Sequence, residues 1–117
     1  MIDDDQPVRE LIACVLLSRG LQVIQADSGE EGIDLALTAN PVLILSDIRM
    51  PNIDGFEVLD RLQIDPQTVN IPFILMTGWA DCLKVASQLK RGVTVLQKPF
   101  DIEMVMNSVL AHLGDQP

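Results

Sequence analysis

The sequence predicts an α/β fold in which helices cover both faces of a doubly wound parallel sheet. Short apolar runs rich in β-branched residues alternate with amphipathic stretches of helical length. Because parallel strands need crossover connections of roughly a dozen residues, this alternation indicates βαβ units. Apolar runs that lack polar alternation are typical of strands buried on both faces. The length suits one domain with one core, spanning residues 1–117.

The predicted helices are bounded by residues that begin or end helical structure. Asp5 stands where an acid stabilises a helix start, Pro7 suits a first turn, and Gly20 suits a helix end. Ser28 followed by Glu31 forms a capping box for the second helix. The predicted helices cover about 7–19, 28–39, 55–64, 82–91 and 102–113, with Asp81 and Asp101 as caps of the last two.

The predicted strands are short apolar runs between these helices. The run Val42-Leu43-Ile44-Leu45 leads into Ser46 and Asp47, so a central buried strand delivers an acid to the carboxyl edge of the sheet. Only Met1-Ile2 stands before the first helix, where a strand of about five or six residues is expected. The predicted strands cover Leu21–Ala26, 42–46, Ile71–Met76 and Val93–Gln97.

Composition excludes several classes of function. The formal net charge is −9, which repels nucleic-acid phosphates and anionic membranes. No signal peptide or membrane-length apolar run is present, and two cysteines, Cys14 and Cys82, form neither a disulfide framework nor a zinc motif. A soluble cytoplasmic protein without direct nucleic-acid or membrane binding is therefore expected.

Polar residues end the predicted strands at one edge of the sheet. Asp3 and Asp4 follow the short first strand, and Asp47 follows the central one. Thr77 and Lys98 follow the last two strands. Clustered carboxylates repel one another unless a cation offsets their charge, and Mg²⁺ prefers oxygen ligands. A carboxylate beside Mg²⁺, a hydroxyl and a lysine suits in-line phosphoryl transfer to a carboxylate oxygen.

Four motifs in chain order resemble the response-regulator receiver domain over nearly the whole sequence. They are Ile-Asp-Asp-Asp with Pro-Val-Arg, Leu-Ser-Asp-Ile-Arg-Met-Pro with Asp-Gly, Met-Thr-Gly, and Gln-Lys-Pro-Phe. The resemblance implies a flavodoxin-like (βα)5 fold, here with a truncated or missing first strand. It also implies a two-component signalling module that is phosphorylated by a histidine kinase or a phosphotransfer protein.

The resemblance assigns roles to individual residues. It makes Asp47 the phosphoacceptor and a metal ligand, Asp4 a direct Mg²⁺ ligand, and Asp3 the holder of a metal-bound water. It gives the backbone carbonyl of Arg49 to the same ion. The remaining two roles are a switch hydroxyl at Thr77 and a phosphate-pairing lysine at Lys98.

Two positions depart from the family pattern. Val95 stands where the family usually has an aromatic residue, so output is expected through the Thr77 loop or the fourth-helix face rather than an aromatic rotamer switch. For the short first strand, either the start was assigned late or a partner chain or loose edge takes its place. The final helix, with Ile102, Val105 and Val109, often borders a dimer or partner surface in this family, so a homodimer is one expectation.

Other functions stay open on the sequence alone. One is a receiver-fold interaction module that phosphorylation does not regulate. Another is a haloacid-dehalogenase-like Mg²⁺ phosphatase, although that chemistry wants an acid where Arg49 stands, and the chain has no room for a cap domain. Arg49 either reaches the phosphoryl group or faces solvent, and Trp79 either shields the acyl phosphate or plugs the surface. His112 is expected to be a surface residue.

Overall fold

The computed structural model describes residues 1–77, 93–97 and 102–113, in which helices alternate with parallel strands. The predicted helix over residues 82–91 lies outside this part of the chain, as do Trp79 and Asp81. The other predicted helices, and three of the four predicted strands, are confirmed to within two residues at each end. In chain order the elements are α1 (Gln6–Ser18), α2 (Gly29–Ala39), β1 (Ile44–Asp47), α3 (Gly55–Gln63), β2 (Phe73–Thr77), β3 (Thr94–Gln97) and α4 (Ile102–His112).

Helix α1 begins and ends at residues that the sequence marks for those positions. The Asp5 side chain accepts a hydrogen bond from the Val8 N–H at 3.3 Å and so satisfies a first-turn donor. Gly20 has φ +82°, a left-handed conformation that glycine adopts without strain, and its N–H donates to the Leu17 carbonyl at 3.0 Å. The chain therefore leaves α1 in a sharp turn.

Helix α2 has the predicted cap with one difference in detail. The Ser28 hydroxyl accepts from the Glu31 N–H at 3.2 Å, as a capping box requires. The Glu31 carboxylate accepts from the Asp27 N–H at 3.0 Å, one residue earlier than the usual partner. Asn40 ends the helix in the left-handed region at φ 53°.

The three strands form a parallel sheet in the order β1-β2-β3. Ile44 of β1 lies opposite Phe73 of β2, and Ile74 of β2 lies opposite Thr94 of β3. Helix α3 connects β1 to β2 as the crossover that a parallel pair requires.

The Met1–Asp3 segment extends the sheet beyond β1, although only Ile2 forms ladder bridges. On one side, the Ile2 N–H donates to the Leu45 carbonyl at 2.8 Å and the Asp47 N–H donates to the Ile2 carbonyl at 2.9 Å. On the other side, the Ala26 N–H donates to the Met1 carbonyl at 2.9 Å and the Asp3 N–H donates to the Ala26 carbonyl at 3.1 Å. The expected truncation of the first strand is confirmed.

The predicted strand over Leu21–Ala26 is wrong except at its last residue. Ala26 forms an isolated parallel bridge to Ile2, while residues 21–25 form no strand ladder. A β-strand needs backbone hydrogen bonds to a neighbouring strand along its length. The neighbour here is the three-residue Met1–Asp3 segment, which is too short to pair with all of residues 21–26. The Met1 amino group donates to the Ile24 carbonyl at 3.0 Å, and desolvation lowers the pKa of this ammonium group from 8.0 to about 6.

Apolar clusters lie on both faces of the sheet, so the doubly wound arrangement is confirmed. Each fully buried aliphatic side chain contributes roughly 1.5–3 kcal/mol relative to exposure. Helices α2 and α3 cover one face, where the buried residues include Ile2, Ala36, Val58, Leu59 and Leu75. Helices α1 and α4 cover the other, where they include Ile12, Leu16, Leu45, Ile74, Met76, Val105 and Val109.

Leu11 of α1 is exposed, whereas the smaller Ala13 is buried on that helix. His112 is not a simple surface residue. Its Nδ1 donates a hydrogen bond to the Ser108 carbonyl at 2.8 Å. Since a neutral imidazole has one donor and one acceptor nitrogen, its Nε2 accepts from the Thr94 hydroxyl at 3.0 Å. This pair ties the end of α4 to β3.

Candidate functional site

Asp47 is the last residue of β1 and lies at the carboxyl edge of the sheet. All four residues of β1 are buried, and Asp47 itself is 6% exposed. Its Oδ1 accepts from the Ile48 N–H at 2.9 Å, which fixes the rotation of the carboxylate. The backbone N–H of Asp47 donates a hydrogen bond to the Ile2 carbonyl at 2.9 Å. A buried strand therefore presents one acid at the edge where open α/β sheets bind ligands.

Asp3 and Asp4 lie beside Asp47 because the Met1–Asp3 segment pairs with β1. Asp3 is fully buried, and its Oδ1 accepts from the Asp5 N–H at 2.9 Å in a tight turn into α1. Asp4 is exposed at the mouth of the same turn. The turn thus places one acid inside the site and the next at its opening.

The carboxylates of Asp3, Asp4 and Asp47 each offer an oxygen within 4.8 Å of the others. Ionised carboxylates this close to one another repel, and the repulsion is screened least at the buried Asp3 and Asp47 and most at the exposed Asp4. Three oxygen donors with this repulsion form a site that favours a divalent cation.

The loop between β1 and α3 is held against the end of β1 at Gly55. The Gly55 N–H donates to the Ile48 carbonyl at 2.8 Å, and the Asp54 side chain caps α3 by accepting from the Glu57 N–H at 2.9 Å. A Cβ atom on Gly55 would lie 2.4 Å from the Asp47 carbonyl oxygen and 2.9 Å from the Ile48 Cα. Only glycine permits this approach, so Gly55 helps to set the position of Asp47.

Arg9 is a site residue whose role the sequence reasoning missed. Its guanidinium donates from one terminal nitrogen to the Asp3 carbonyl at 2.8 Å and from Nε to the Gln25 side chain at 3.2 Å. The arginine therefore ties α1 to the turn that carries Asp3 and to the chain before Ala26. The sequence signal that could have identified Arg9 is its place one helical turn after the acidic triplet, on the side of α1 that meets the sheet edge.

The structure describes less of the other three predicted site residues. The backbone of Thr77 ends β2 at the same edge as Asp47, opposite Gln97. Lys98 directly follows β3 and lies outside the described residues. Arg49 is exposed at the start of the loop after β1.

Val95, which replaces an aromatic residue of the family pattern, lies on β3 opposite Leu75. It is half-buried and packs against the α2/α3 face of the core. An aliphatic side chain fixed in this way lacks the large rotamer displacement that an aromatic ring offers.

A family model described as the response regulator receiver domain matches residues 1–110. Sporulation initiation phosphotransferase F of Bacillus subtilis is 31% identical over 114 residues, which cover 97% of this chain and 90% of that protein. The transcriptional regulatory protein FixJ of Azorhizobium caulinodans is 36% identical over 115 residues, covering 97% of this chain and 54% of that protein. This chain spans about half the length of such transcriptional relatives, 47% and 54% for two of them.

A solved structure carries the same fold. The chemotaxis protein CheY4 of Vibrio cholerae matches with a TM-score of 0.84 and 27% identity, covering 94% of this chain and 92% of that one. The flavodoxin-like fold predicted from the sequence is confirmed by this similarity and by the parallel sheet. In the part of the chain that the structure describes, no helix has the length and apolar character needed to cross a bilayer.

Proposed function

Because this chain belongs to the response regulator receiver domain family, we propose that it is a phosphoacceptor of a two-component system, phosphorylated on Asp47. Receiver domains interact with histidine kinases or phosphotransfer proteins, and one of these is the proposed donor. The module acts on itself, promoting its own phosphorylation, and not on a separate substrate. The conformational output then passes to a partner protein or domain.

The observation that carries this proposal is the convergence of three carboxylates on the end of β1. Asp3, Asp4 and Asp47 offer oxygens within 4.8 Å of one another, at the edge of the sheet where Thr77 ends β2. A structural role for Asp47 as a helix cap is unsupported, since Asp54 fills that role for α3. An acid held 6% exposed beside two others suits chemistry better than solubility.

The donor set fits Mg²⁺, which takes carboxylate and carbonyl oxygens and keeps several waters. Asp4, Asp47 and the backbone carbonyl of Arg49 would hold the ion directly, and Asp3 through a water. When bound, the ion supplies charge neutralisation for phosphoryl oxygens. The exposure of Asp4 at the mouth of the site leaves that side open to a phosphodonor.

Asp47 is the nucleophile in this proposal. One carboxylate oxygen forms a bond to phosphorus while the bond between phosphorus and the donor atom breaks, which leaves an acyl phosphate on the protein. The bond from the Ile48 N–H to Asp47 Oδ1 orients the carboxylate before reaction. Lys98 pairs with the phosphoryl oxygens, and the Thr77 hydroxyl donates a hydrogen bond to them.

Incubation of the protein with acetyl phosphate and Mg²⁺, followed by intact-mass measurement, tests the proposal. We expect the mass to rise by one phosphoryl group and the gain to disappear in Asp47→Asn. Asp34→Asn is the matched control, because Asp34 is an exposed aspartate on α2. This control removes the same charge from the chain and should leave phosphorylation unchanged.

The same experiment separates the other candidate functions. Continuous release of inorganic phosphate without a stable mass gain would indicate a phosphatase. No reaction with acetyl phosphate or with any histidine kinase of the same organism would indicate an interaction module that phosphorylation does not control. Either result contradicts the proposal.

A further inference from the structure

Asp4 differs from the other two acids of the site because it is exposed. Asp3 and Asp47 are buried, so surrounding atoms restrict their side chains, whereas the position of Asp4 depends on its backbone. A metal ligand has to be held within about 0.5 Å of its binding geometry. Two planar peptide groups meet at the Asp4 Cα atom, so the orientation of these groups decides where the carboxylate can lie.

The peptide group that follows Asp4 is bonded to the Asp3 side chain. Its N–H belongs to Asp5 and donates to Asp3 Oδ1 at 2.9 Å. An aspartate that accepts from the N–H two residues further along closes a tight turn around the residue between them, which here is Asp4. Asp3 is fully buried, which shields its end of this bond from solvent.

The peptide group that precedes Asp4 is bonded to Arg9. Its carbonyl belongs to Asp3 and accepts from a terminal guanidinium nitrogen of Arg9 at 2.8 Å. Hydrogen bonds from a charged donor are stronger than those between neutral groups. Each of the two peptide groups around Asp4 is therefore bonded to a side chain, and the Asp3 N–H is bonded to Ala26 as well.

Gln25 holds the Arg9 guanidinium from a second direction. Arg9 Nε donates to Gln25 Oε1 at 3.2 Å, while the terminal nitrogen donates to the Asp3 carbonyl. Because a guanidinium is planar and rigid, a bond at Nε also restricts the direction of its terminal N–H groups. Gln25 directly precedes Ala26, whose carbonyl accepts from the Asp3 N–H at 3.1 Å. The two groups that accept from Arg9 therefore belong to segments that are already bonded to each other.

We propose that Asp3, Arg9 and Gln25 form a positioning clamp, which sets the backbone of Asp4 and thereby the affinity of the site for Mg²⁺, a role that rests on the proposed function of the site. The clamp acts on Asp4 through its two peptide groups. For Asp3 this role is separate from its charge. Gln25 carries no charge, so its effect on the ion passes through Arg9.

Two substitutions of Asp3 separate its bond to the turn from its charge. Asp3→Asn keeps a side-chain oxygen that accepts from the Asp5 N–H, Asp3→Ala has no such acceptor, and both remove the carboxylate charge. Residues that orient metal ligands are worth about 10- to 100-fold in affinity. In an NMR titration with Mg²⁺, we expect Asp3→Ala to bind at least about tenfold more weakly than Asp3→Asn. Equal dissociation constants would mean that Asp3 acts through its charge alone, which contradicts the clamp.

Amide hydrogen exchange at Asp5 reports on the same bond without any metal. The Asp5 N–H should exchange at nearly the wild-type rate in Asp3→Asn and at least about tenfold faster in Asp3→Ala. Equal exchange rates in the two variants would show that the Asp3 side chain does not hold the turn, and the clamp would be refuted.

Gln25→Ala tests the other end of the clamp at an exposed position, where truncation leaves the fold intact. The Mg²⁺ dissociation constant should rise about threefold, since one partly solvated hydrogen bond is lost. Gln22→Ala is the matched control, because Gln22 is an exposed glutamine in the same segment, and it should bind Mg²⁺ as the wild type does. In an Arg9→Ala background, Gln25→Ala should cause no further loss. Wild-type affinity in Gln25→Ala, or a full effect without Arg9, would overturn the role of Gln25.

The rate of phosphorylation by acetyl phosphate distinguishes failure of the clamp from failure of the proposed function. At saturating Mg²⁺, Gln25→Ala should react at the wild-type rate, because the clamp sets metal affinity; a lower rate would place the defect at Asp47 and contradict the clamp. If the Mg²⁺ affinities follow the expected pattern but the wild type is not phosphorylated, the proposed function fails and the clamp stands. If the wild type is phosphorylated but the Asp3 and Gln25 variants keep its Mg²⁺ affinity, the clamp alone fails.

Discussion

Replacement of Gly55 by alanine tests how tightly the loop after β1 fixes Asp47. The new Cβ meets the Asp47 carbonyl oxygen at 2.4 Å and the Ile48 Cα at 2.9 Å, and both are backbone atoms that cannot rotate away. Overpacking of this kind costs about 1–3 kcal/mol. Alanine recovers up to about 1 kcal/mol of helix propensity at the start of α3. The free energy of unfolding should therefore fall by about 1–2 kcal/mol, and the thermal midpoint by roughly 4–8 °C.

The effect of Gly55→Ala on phosphorylation should exceed its effect on stability. The Asp47 backbone must move by several tenths of an ångström to relieve the contact, and the reacting carboxylate moves with it. A displacement approaching 1 Å at a reacting group costs up to about 100-fold in rate. We expect the rate of phosphorylation by acetyl phosphate, followed by intact mass at saturating Mg²⁺, to fall by roughly 10- to 100-fold.

Gly20→Ala is the matched control for this prediction. Gly20 has φ +82°, and beyond its chain neighbours no atom lies within 4 Å of the position that a Cβ would take. Alanine there adds backbone strain of about 1–2 kcal/mol without a new contact. The two variants should lose similar stability, measured by urea unfolding, but Gly20→Ala should keep the wild-type phosphorylation rate. If Gly55→Ala also reacts at the wild-type rate, the loop contact does not position Asp47.

Three further predictions concern the acidic site and the amino terminus. Mg²⁺ at 100 times its dissociation constant should stabilise the protein by about 2.7 kcal/mol, and Asp4→Asn should weaken Mg²⁺ binding at least about tenfold in a thermal-shift titration. Arg9→Ala should also weaken Mg²⁺ binding, because the Asp3 turn loses its 2.8 Å bond, whereas Arg19→Ala, at the far end of α1, should not. For the chain that begins at Met1, desolvation lowers the ammonium pKa from 8.0 to about 6, so stability is greatest above pH 8 and falls as the pH drops through 6. The unfolding free energy falls by at most about 2.7 kcal/mol between pH 8 and pH 6. Urea unfolding at these two pH values measures the loss, and N-terminal acetylation should abolish it.

The helices and the central strands follow from local features of the sequence, which explains why they are predictable. Asp5, Ser28 and Gly20 act within one turn of their own positions, so their effects are visible without a structure. Ile44 and Leu45 of the apolar run are buried in β1, as a run without polar alternation predicts. The identity of Asp47 as the candidate phosphoacceptor follows from that strand and from the motif around it.

The features that the sequence does not reveal depend on contacts between distant segments. Residues 21–25 have strand-like composition but lack a full-length neighbour, so composition alone overstates their structure. Arg9 holds the Asp3 turn through a bond to a backbone carbonyl, and every residue has such a carbonyl, so the sequence does not show which one the arginine binds. Gly55 belongs to the Asp-Gly part of the second motif, but the sequence does not reveal that a Cβ there would lie 2.4 Å from the Asp47 carbonyl oxygen.

The short first strand affects the two ends of the sheet differently. At the carboxyl end, four backbone hydrogen bonds of 2.8–3.1 Å fix Met1, Ile2 and Asp3 between Ala26 and β1, and the carboxylates of Asp3, Asp4 and Asp47 converge there. At the amino end of the sheet, a cavity of about 320 Å³ is lined mainly by aliphatic side chains and by none of the three acids. The three residues Met1–Asp3, through their backbone bonds to Ala26 and β1, are therefore sufficient to place the acids at the carboxyl end.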